Sequence, residues 1–171
     1  MIERPDWNDY FITLAFVVSQ RSFDPSTKHG AILVSADKRI LSTGYNGPIR
    51  NSIDSQIPLE RPQKYAHMIH AEENCILSYN GSAQDLVGST MFITGEPCHR
   101  CLRMIIQKGI KNLIYGPISS ACVDPEDIQS KELMMNYSEN ITIIKIDNKN
   151  SIEKTLNKTL ESVNKYFKDE V

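Results

Sequence analysis

Short apolar runs and helically spaced apolar residues alternate along the chain, and this pattern predicts alternating strands and helices. The first helix is expected to begin near Pro5, which suits the first turn of a helix, and to end near Arg21. Its expected apolar face consists of Leu14, Ala15, Val17 and Val18. The apolar run 31–34 predicts a buried strand, and residues 39–44 predict its hairpin partner across a turn at 36–38.

The remainder of the chain continues this alternation after one long interruption. Residues 45–66 are rich in Gly, Pro, Asn and Ser, which predicts a long loop, and long loops in compact domains are usually functional. The helices predicted beyond it are 70–79, 98–108 and 128–135, and the strands are 91–94, 113–115 and 141–146. Strands that alternate with helices after an opening hairpin predict a three-layer α/β fold.

The C-terminal residues predict an amphipathic helix at about 151–168. One face of this helix carries Ile152, Leu156, Leu160, Val163 and Phe167. Asn150 followed by Glu153 is expected to form a capping box at its start. We expect the helix to cover one face of the sheet, because amphipathic helices usually face a core, with binding of a partner as the alternative.

The composition is that of an ordinary globular protein with a slight excess of acidic residues. The chain has 171 residues, of which 40% are hydrophobic, and a formal net charge of −2. This length is typical of one domain, so residues 1–171 are expected to form a single domain whose core needs no disulfides. Nucleic acid is disfavoured as a partner, because proteins that bind duplexes usually carry a basic excess.

The sequence shows neither a signal peptide nor a membrane-spanning stretch. The N-terminal residues are polar, and the longest apolar run, 14–18, is far too short to cross a bilayer. We therefore expect a cytoplasmic, reducing environment and no membrane partner. In such a compartment a close cysteine pair indicates a metal site or a redox pair rather than a structural disulfide.

Two short motifs carry the chemistry of the chain. Residues 70–72 read His-Ala-Glu at the start of one predicted helix, and residues 97–101 read Pro-Cys-His-Arg-Cys at the start of the next. Together they match H-x-E followed by P-C-x-x-C, the signature of zinc deaminases. A catalytic zinc takes three protein ligands and leaves a fourth position for water, so we expect His70, Cys98 and Cys101 to hold one zinc ion.

Glu72 is the predicted proton carrier of this site. In the first, irregular turn of its helix the carboxylate can reach the water at the open metal position, whose pKa zinc lowers to about 7. Glu72 would take a proton from that water, pass it to a ring nitrogen of the base and help to protonate the departing ammonia. The reaction would be hydrolytic and would need no organic cofactor.

Two other interpretations of the cysteine motif remain open. It could be a redox pair with the upstream histidine in the core, although the H-x-E motif favours zinc. A purely structural zinc would need a fourth ligand, for which the candidates are His67 and His99. The two remaining cysteines, Cys75 and Cys122, are expected to be small apolar residues rather than ligands.

Four segments resemble the deoxycytidylate (dCMP) deaminases of the cytidine deaminase-like superfamily. They are 20–25 (QRSFDP), 44–47 (GYNG), 70–74 (HAEEN) and 97–101 (PCHRC), within a resemblance that spans roughly residues 5 to 146. The resemblance implies a three-layer α/β/α sandwich with a mixed five-stranded sheet, and a homo-oligomer, either a hexamer or a dimer. It also implies zinc-dependent deamination of dCMP to dUMP with release of ammonia.

The resemblance further implies a set of substrate-binding residues. These are Asn46, Arg21, Ser22, Lys28, Ala71 and Asn74. Asn46 would contact the deoxyribose, and the Arg21–Ser22 pair with nearby Lys28 would meet the 5′-phosphate. An arginine fork beside a hydroxyl suits a phosphate, although a surface arginine without a ligand is the commoner case.

The chain departs from the family pattern at three places. Pro48 follows GYNG directly, whereas the family usually has one residue between them, so the control by dCTP and dTTP linked to this region is left open. His29 stands where a valine commonly precedes the glycine of the first strand. Residues 45–66 contain neither cysteine nor histidine, so the second zinc of many microbial members is not expected and we predict one zinc per chain.

The identity of the substrate keeps several alternatives. dCTP or a 5-substituted dCMP could replace dCMP, and residues 94–97 (TGEP) are also similar to tRNA adenosine deaminases and guanine deaminases. An enzyme that edits tRNA or single-stranded DNA would need a basic channel, which the acidic balance disfavours. A zinc-binding scaffold without catalysis would have no use for Glu72.

Overall fold

A mixed β-sheet lies at the centre of the computed structural model, which describes residues 4–119, 125–139 and 141–167. The strands are β1 (Gly30–Val34), β2 (Ile40–Tyr45), β3 (Gly47–Pro48), β4 (Met68–Ile69), β5 (Thr90–Gly95), β6 (Asn112–Ile118) and β7 (Thr142–Lys145). The helices are α1 (Trp7–Ser19), α2 (Ala71–Leu77), α3 (Ala83–Leu86), α4 (His99–Gln107), α5 (Pro125–Tyr137) and α6 (Lys149–Tyr166).

Five of these strands form one sheet in the order β2-β1-β5-β6-β7. β1 runs antiparallel to both β2 and β5, whereas β5, β6 and β7 run parallel to one another. The two parallel pairs are joined through α4 and α5, as parallel strands require a crossover. The α/β class with a mixed five-stranded sheet is therefore confirmed.

Both faces of the sheet are buried, because successive side chains of a strand point to opposite sides. On one face Leu33 of β1 packs in a core with residues of α2 and α4, including Ala71 and Leu102. On the other face Ile32 packs with Phe11 of α1. Helices thus lie on both sides of the sheet, as in the predicted three-layer sandwich.

α1 differs from its prediction in its end and in its buried face. Asp6 caps its start by accepting hydrogen bonds from two backbone N–H groups, and the helix ends at Ser19, two residues before the predicted Arg21. Its fully buried apolar side chains are Phe11, Ile12 and Ala15, whereas Val17, predicted to be buried, is 52% exposed. The helix lies so close to β1 that a Cβ at Gly30 would be 2.0 Å from the carbonyl oxygen of Ala15. The face of α1 that carries Ala15 therefore packs directly on β1.

The predicted long loop 45–66 is irregular, but it contains local structure that the sequence did not indicate. Two short 3₁₀ helices occupy Asp54–Gln56 and Gln63–Ala66. β3, at the start of this segment, pairs with β4, which lies just before α2. The two ends of the segment are thereby joined directly beside the residues that begin α2.

The C-terminal helix packs on another helix rather than on the sheet, which corrects the expected position. α6 contacts α1, and Ile152 is the apolar residue of its predicted face that is buried. The rest of that face is exposed and comprises Leu156, Leu160, Val163 and Phe167. The predicted capping box is also wrong, because Asn148 is the N-cap and its side chain accepts from the Ser151 N–H. Among the described residues, none of the helices is long and apolar enough to cross a membrane.

Candidate metal and catalytic site

Three potential metal ligands meet where α2 and α4 begin. His70 is the N-cap of α2, Cys98 is the N-cap of α4, and Cys101 lies in the first turn of α4. The Nδ1 atom of His70 is 3.6 Å from Cys98 Sγ and 3.5 Å from Cys101 Sγ. The three donor atoms lie within 4.8 Å of one another, and the described part of the chain holds no second cluster of this kind.

The spacing of these atoms fits a tetrahedral zinc ion. With Zn–S bonds of roughly 2.3 Å and Zn–N bonds of about 2.0–2.1 Å, tetrahedral angles place nitrogen and sulfur roughly 3.6 Å apart. The observed distances of 3.5 and 3.6 Å agree with that value. One imidazole and two thiolates are also a donor set that suits zinc, and three ligands leave a fourth position open.

The local fold explains why these ligands converge. The first turn of each helix has backbone N–H groups without a partner inside the helix, so both helix starts present a positive end to the same point. α4 begins directly after β5, where the Glu96 N–H donates to the carbonyl oxygen of Ile118 and ties this turn to β6. α2 is fixed against β2, because a Cβ at Gly44 would be only 2.3 Å from the backbone N of Cys75. The sheet therefore sets the positions of both helix starts.

Hydrogen bonds within the cluster favour a thiolate at Cys98 and an imidazolium at His70. A hydrogen bond from Cys101, together with one from His70, lowers the pKa of Cys98 to about 3. The hydrogen bond with Cys98 raises the pKa of His70 to about 9, against the effect of burial. The hydrogen bond with Cys98 raises the pKa of Cys101, so this residue stays a thiol. A metal ion that displaces both remaining protons would replace these hydrogen bonds with coordination.

Glu72 is buried beside the cluster, in the first turn of α2. Burial raises the pKa of its carboxyl group, and the neighbouring His70 acts in the opposite direction. Hydrogen bonding with Cys101 contributes to the same balance and places the carboxyl group next to a proposed ligand. A buried carboxyl group whose pKa is raised holds a proton more readily than an exposed one and can return it, which is the requirement for a general acid–base.

The two histidines considered as a fourth ligand do not join the cluster. His99 points to α5, where its Nδ1 atom is 2.6 Å from Asp127 Oδ1. His67 lies in the segment before α2, and its backbone oxygen accepts a hydrogen bond from the Ile49 N–H. The geometry therefore favours an open catalytic site over a closed structural one.

The cysteine predicted to be an ordinary apolar residue is found in the core. Cys75 is fully buried on α2, and its Sγ atom is 3.3 Å from Ser42 Oγ. Burial raises the pKa of its thiol to about 11, so it is not a nucleophile near neutral pH. Cys122 lies outside the described residues.

Asn46, the predicted deoxyribose contact, is held by an internal hydrogen-bond network. Its Oδ1 accepts from the His29 N–H at 2.7 Å, and its Nδ2 donates to the Thr27 carbonyl oxygen at 2.9 Å. Asp24 is 3.5 Å from the same Nδ2, and the Asp24 N–H donates to Ser22 Oγ. Asn46 and Ser22 are both nearly inaccessible to solvent. These two predicted residues are thus linked through Asp24 in one hydrogen-bond network.

The other predicted substrate-binding residues fall into two groups. Arg21 and Lys28 are exposed on the same segment, which leaves their side chains available to a phosphate. Ala71 and Asn74 lie on α2. Ala71 is buried, and Asn74 donates through Nδ2 to the carbonyl oxygen of Tyr45 at 2.8 Å, so its amide holds α2 to β2.

Several residues of this region were not singled out as site residues by the sequence. His29 lies beside the site, with its Nδ1 atom 3.3 Å from Thr94 Oγ1. Its pKa is lowered mainly by burial and, to a smaller extent, by the charge of His70. Its departure from the family valine was the only signal. Lys64 and Asp127 gave no sequence signal, because each acts through a partner far away in the chain.

Comparison with known proteins agrees with these features. Residues 5–117 match the family described as the cytidine and deoxycytidylate deaminase zinc-binding region. The fold and the cluster at the helix starts, taken with this match, define a zinc-dependent deaminase. The chain belongs to the cytidine and deoxycytidylate deaminase family, and to its dCMP deaminase branch.

Individual relatives support this assignment. The deoxycytidylate deaminase of Pongo abelii is 37% identical over 139 residues, which cover 78% of this chain and 76% of the relative. That of Mycobacterium phage D29 is 31% identical over 127 residues, 67% of this chain and 97% of the relative. The crystal structure of dCMP deaminase from the cyanophage S-TIM5 with dCMP and dUMP has a TM-score of 0.67 at 24% identity, and the match covers 84% of this chain and 99% of that one. At this identity the structural match supports the fold alone.

Proposed function

We propose that the protein hydrolyses dCMP to dUMP and ammonia, with one zinc ion per chain. The observation that carries the proposal is the convergence of His70, Cys98 and Cys101 beside a buried Glu72. The name shared by the relatives from Pongo abelii and phage D29 supplies the substrate.

The residues of the site have distinct roles in this reaction. His70, Cys98 and Cys101 would hold the zinc ion, which would supply Lewis-acid activation of a water molecule. Glu72 accepts a proton from that water through a carboxylate oxygen and delivers it to N3 of cytosine. Glu72 then takes the proton of the hydroxyl that water has added to C4 and passes it to the leaving amino group, so that the C4–N bond breaks, ammonia departs and C4 becomes a carbonyl carbon. Water supplies the oxygen that remains on C4, which balances dCMP plus water against dUMP plus ammonia.

The remaining residues bind the nucleotide. We assign the deoxyribose to Asn46 and the 5′-phosphate to Arg21, Ser22 and Lys28. Two of these side chains are exposed cations on one segment, which is the charge that a phosphate requires. Ala71 and Asn74 shape the wall formed by α2.

A substrate panel tests the proposal. Zinc-loaded protein is assayed for ammonia release from dCMP, dCTP, deoxycytidine, guanine and tRNA, and dCMP is expected to give the highest kcat/KM. Glu72→Ala is expected to lower kcat by about 10²–10⁴-fold or more while zinc content stays at one per chain. Absence of turnover with every cytosine deoxynucleotide would refute the proposal. A higher kcat/KM for dCTP than for dCMP would identify the triphosphate as the substrate instead.

We further propose a homo-oligomer in a reducing, cytosolic environment. The exposed apolar residues of α6, among them Leu160 and Phe167, offer a surface that a second copy could cover. Free thiols at a metal site require reducing conditions, which supports the compartment. Sedimentation velocity of the zinc-loaded protein would distinguish a monomer from a dimer or hexamer.

A further inference from the structure

A buried ion pair outside the metal cluster joins two segments that flank the proposed nucleotide site. Lys64 Nζ is 3.0 Å from Asp24 Oδ1 and 2.9 Å from Asp24 Oδ2. The side chains of both residues are about as buried as core residues, at 5% and 6% exposure. Lys64 belongs to the long segment before α2, whereas Asp24 belongs to the turn after α1.

Asp24 connects this ion pair to the residues of the site. Its Oδ1 accepts from the backbone N–H groups of Ser26, at 2.8 Å, and Thr27, at 3.4 Å. Its Oδ2 lies 3.5 Å from Asn46 Nδ2. Burial alone would raise the pKa of Asp24, but hydrogen bonds from Lys64 and from these N–H groups outweigh it and hold the pKa below its ordinary value. Asp24 is therefore a charged acceptor at neutral pH.

The network fixes which way the Asn46 amide faces. Its Nδ2 donates to the Thr27 carbonyl oxygen at 2.9 Å and lies 3.5 Å from Asp24 Oδ2, while Oδ1 accepts from the His29 N–H. Among the described residues, the His29 N–H is the single donor to Oδ1, and a carbonyl oxygen can accept two hydrogen bonds. The remaining lone pair suits a hydroxyl donor such as that of a sugar.

Stability alone does not account for a buried lysine at this place. Replacing a buried ion pair with apolar side chains of similar volume is often neutral or stabilising, so such a pair is a poor source of folding energy. The pair instead fixes the orientation of the Asp24 carboxylate, because hydrogen bonds between charged groups are short and strongly oriented. Here the orientation is imposed on Asp24 and, through it, on Asn46 and the Ser26–Thr27 turn.

We propose that Lys64 is a positioning residue for the nucleotide: by clamping Asp24 it holds the long segment against the 22–29 turn and orients Asn46 toward the sugar hydroxyl. The assignment rests on the proposed function in that Asn46 is taken to face deoxyribose. Lys64 itself touches neither the metal ligands nor Glu72 in the described structure, so its removal should affect binding more than chemistry.

The first experiment tests the clamp without using activity. Hydrogen exchange at the amides of Ser26, Thr27 and His29 is compared between wild type and Lys64→Met, with Arg39→Met as the control. Arg39 forms an exposed pair with Asp37, so the control should not change these rates. Exchange should be at least tenfold faster in Lys64→Met. Exchange rates in Lys64→Met equal to those of wild type would overturn the proposed clamp, whichever substrate the enzyme uses.

The second experiment measures kcat and KM on zinc-loaded protein with dCMP and with its 3′-deoxy analogue, 2′,3′-dideoxycytidine monophosphate. Lys64→Met should raise KM for dCMP at least tenfold, with kcat within threefold and one zinc per chain. The ratio of kcat/KM for dCMP to kcat/KM for the analogue should fall towards one in Lys64→Met. Lys64→Arg should keep most of the wild-type ratio. KM within twofold of wild type, or a fall in kcat that matches the rise in KM, would overturn the proposal.

A second variant keeps the test decisive if Lys64→Met does not fold. Asp24→Asn combined with Lys64→Met leaves no unpaired buried charge, so it should recover stability. If the ion pair positions Asn46, this double variant should fold but should still lose the preference for dCMP over its 3′-deoxy analogue. If the double variant instead shows the full wild-type preference, Lys64 acts on stability only and the proposal is overturned. Wild-type protein that fails to deaminate dCMP would refute the proposed function, while the exchange rates would still decide the clamp.

Discussion

His99 is turned away from the metal cluster and bonded to Asp127 twice. Asp127 Oδ1 lies 2.6 Å from His99 Nδ1 and accepts the His99 backbone N–H at 2.8 Å. Its Oδ2 lies 3.2 Å from Lys131, which also contacts Glu96 at 2.6 Å. Burial alone would raise the pKa of Asp127, but hydrogen bonds from His99 and Lys131 hold this pKa below its ordinary value. α5 thus supports the turn that presents Cys98.

This support should be measurable as zinc affinity. Asp127→Ala removes the acceptor of the first N–H of α4, so Cys98 loses its fixed position; outer-shell changes of this kind cost roughly 10–100-fold in metal affinity. Competition with a chromophoric chelator measures the loss. Asp147→Ala, which removes the partner of exposed Lys145, should leave zinc affinity unchanged. Equal affinities in the two variants would contradict a supporting role for Asp127.

Zinc removal should abolish activity but preserve the fold. The ligands are placed by helix starts that pack on the sheet, and the core beneath them is formed by apolar residues that need no ion. Dialysis against a chelator should remove turnover and leave the far-ultraviolet circular dichroism spectrum intact. Zinc should restore turnover, whereas Mg²⁺ should not, because it prefers oxygen ligands. Cooperative unfolding on chelation would show that the ion is structural.

Gly44→Ala should impair catalysis through the position of α2. A Cβ there would lie 2.3 Å from the Cys75 backbone N and 2.4 Å from the Ala71 carbonyl oxygen, so α2 must shift and move Glu72 with it. A displacement on the order of 1 Å can lower the rate by about 10²-fold. Gly88→Ala is the control: its φ of +73° makes alanine strained, but its Cβ would meet only Ala36. Steady-state kinetics should show a loss of kcat in Gly44→Ala alone.

Two residues of the predicted apolar face of α6 should differ sharply in their effect on stability. Ile152 is 6% exposed and Leu160 is 58% exposed. Ile152→Ala should lower the free energy of unfolding by about 2–4 kcal/mol, because it leaves a cavity between helices. Leu160→Ala should change it by less than about 0.5 kcal/mol in the monomer. Urea titration of dilute protein checks both, and a large loss for Leu160→Ala would indicate that a second copy covers this face.

Acid should weaken the Lys64–Asp24 clamp. The folded pKa of Asp24 is below its ordinary value of 3.8, so its contribution to stability is complete above that value and is lost as the pH falls through the folded pKa. Relative to Asp24→Asn/Lys64→Met, metal-free wild type should therefore lose stability as the pH is lowered below about 4. Urea unfolding of both proteins from pH 7 to pH 3 measures this. A difference that stays constant across the range would contradict a depressed pKa.

The sequence predicts the metal cluster well because each half of it is local. The spacing of residues 70–72 and 97–101 fixes which donors stand at a helix start, and only the meeting of the two starts requires the fold. The sheet was also predictable in class, since apolar runs indicate buried strands. Its mixed, five-stranded character was implied by the family resemblance rather than by the pattern of residues, and neither indicates the strand order.

The rest could not be predicted because it depends on contacts between distant parts of the chain. Lys64 and Asp24 are 40 residues apart, and nothing in either local sequence indicates that their charges will be buried together. The face of α6 shows a related difficulty. An amphipathic pattern indicates which side of a helix can be buried, but it does not indicate that α1, which α6 contacts, leaves the side chains beyond Ile152 exposed.

The proposed metal ligands and the proposed nucleotide contacts are carried by different kinds of structure. His70 and Cys98 cap helices that pack on the sheet, whereas Arg21, Asn46 and Lys64 lie in or beside connecting segments. Such segments tolerate substitution and insertion far better than helices in a core. Substitutions in these two connecting segments can therefore change which nucleotide is preferred, while the metal site and the deamination reaction stay the same. Engineering a new base or sugar specificity should begin with residues 20–29 and 45–66.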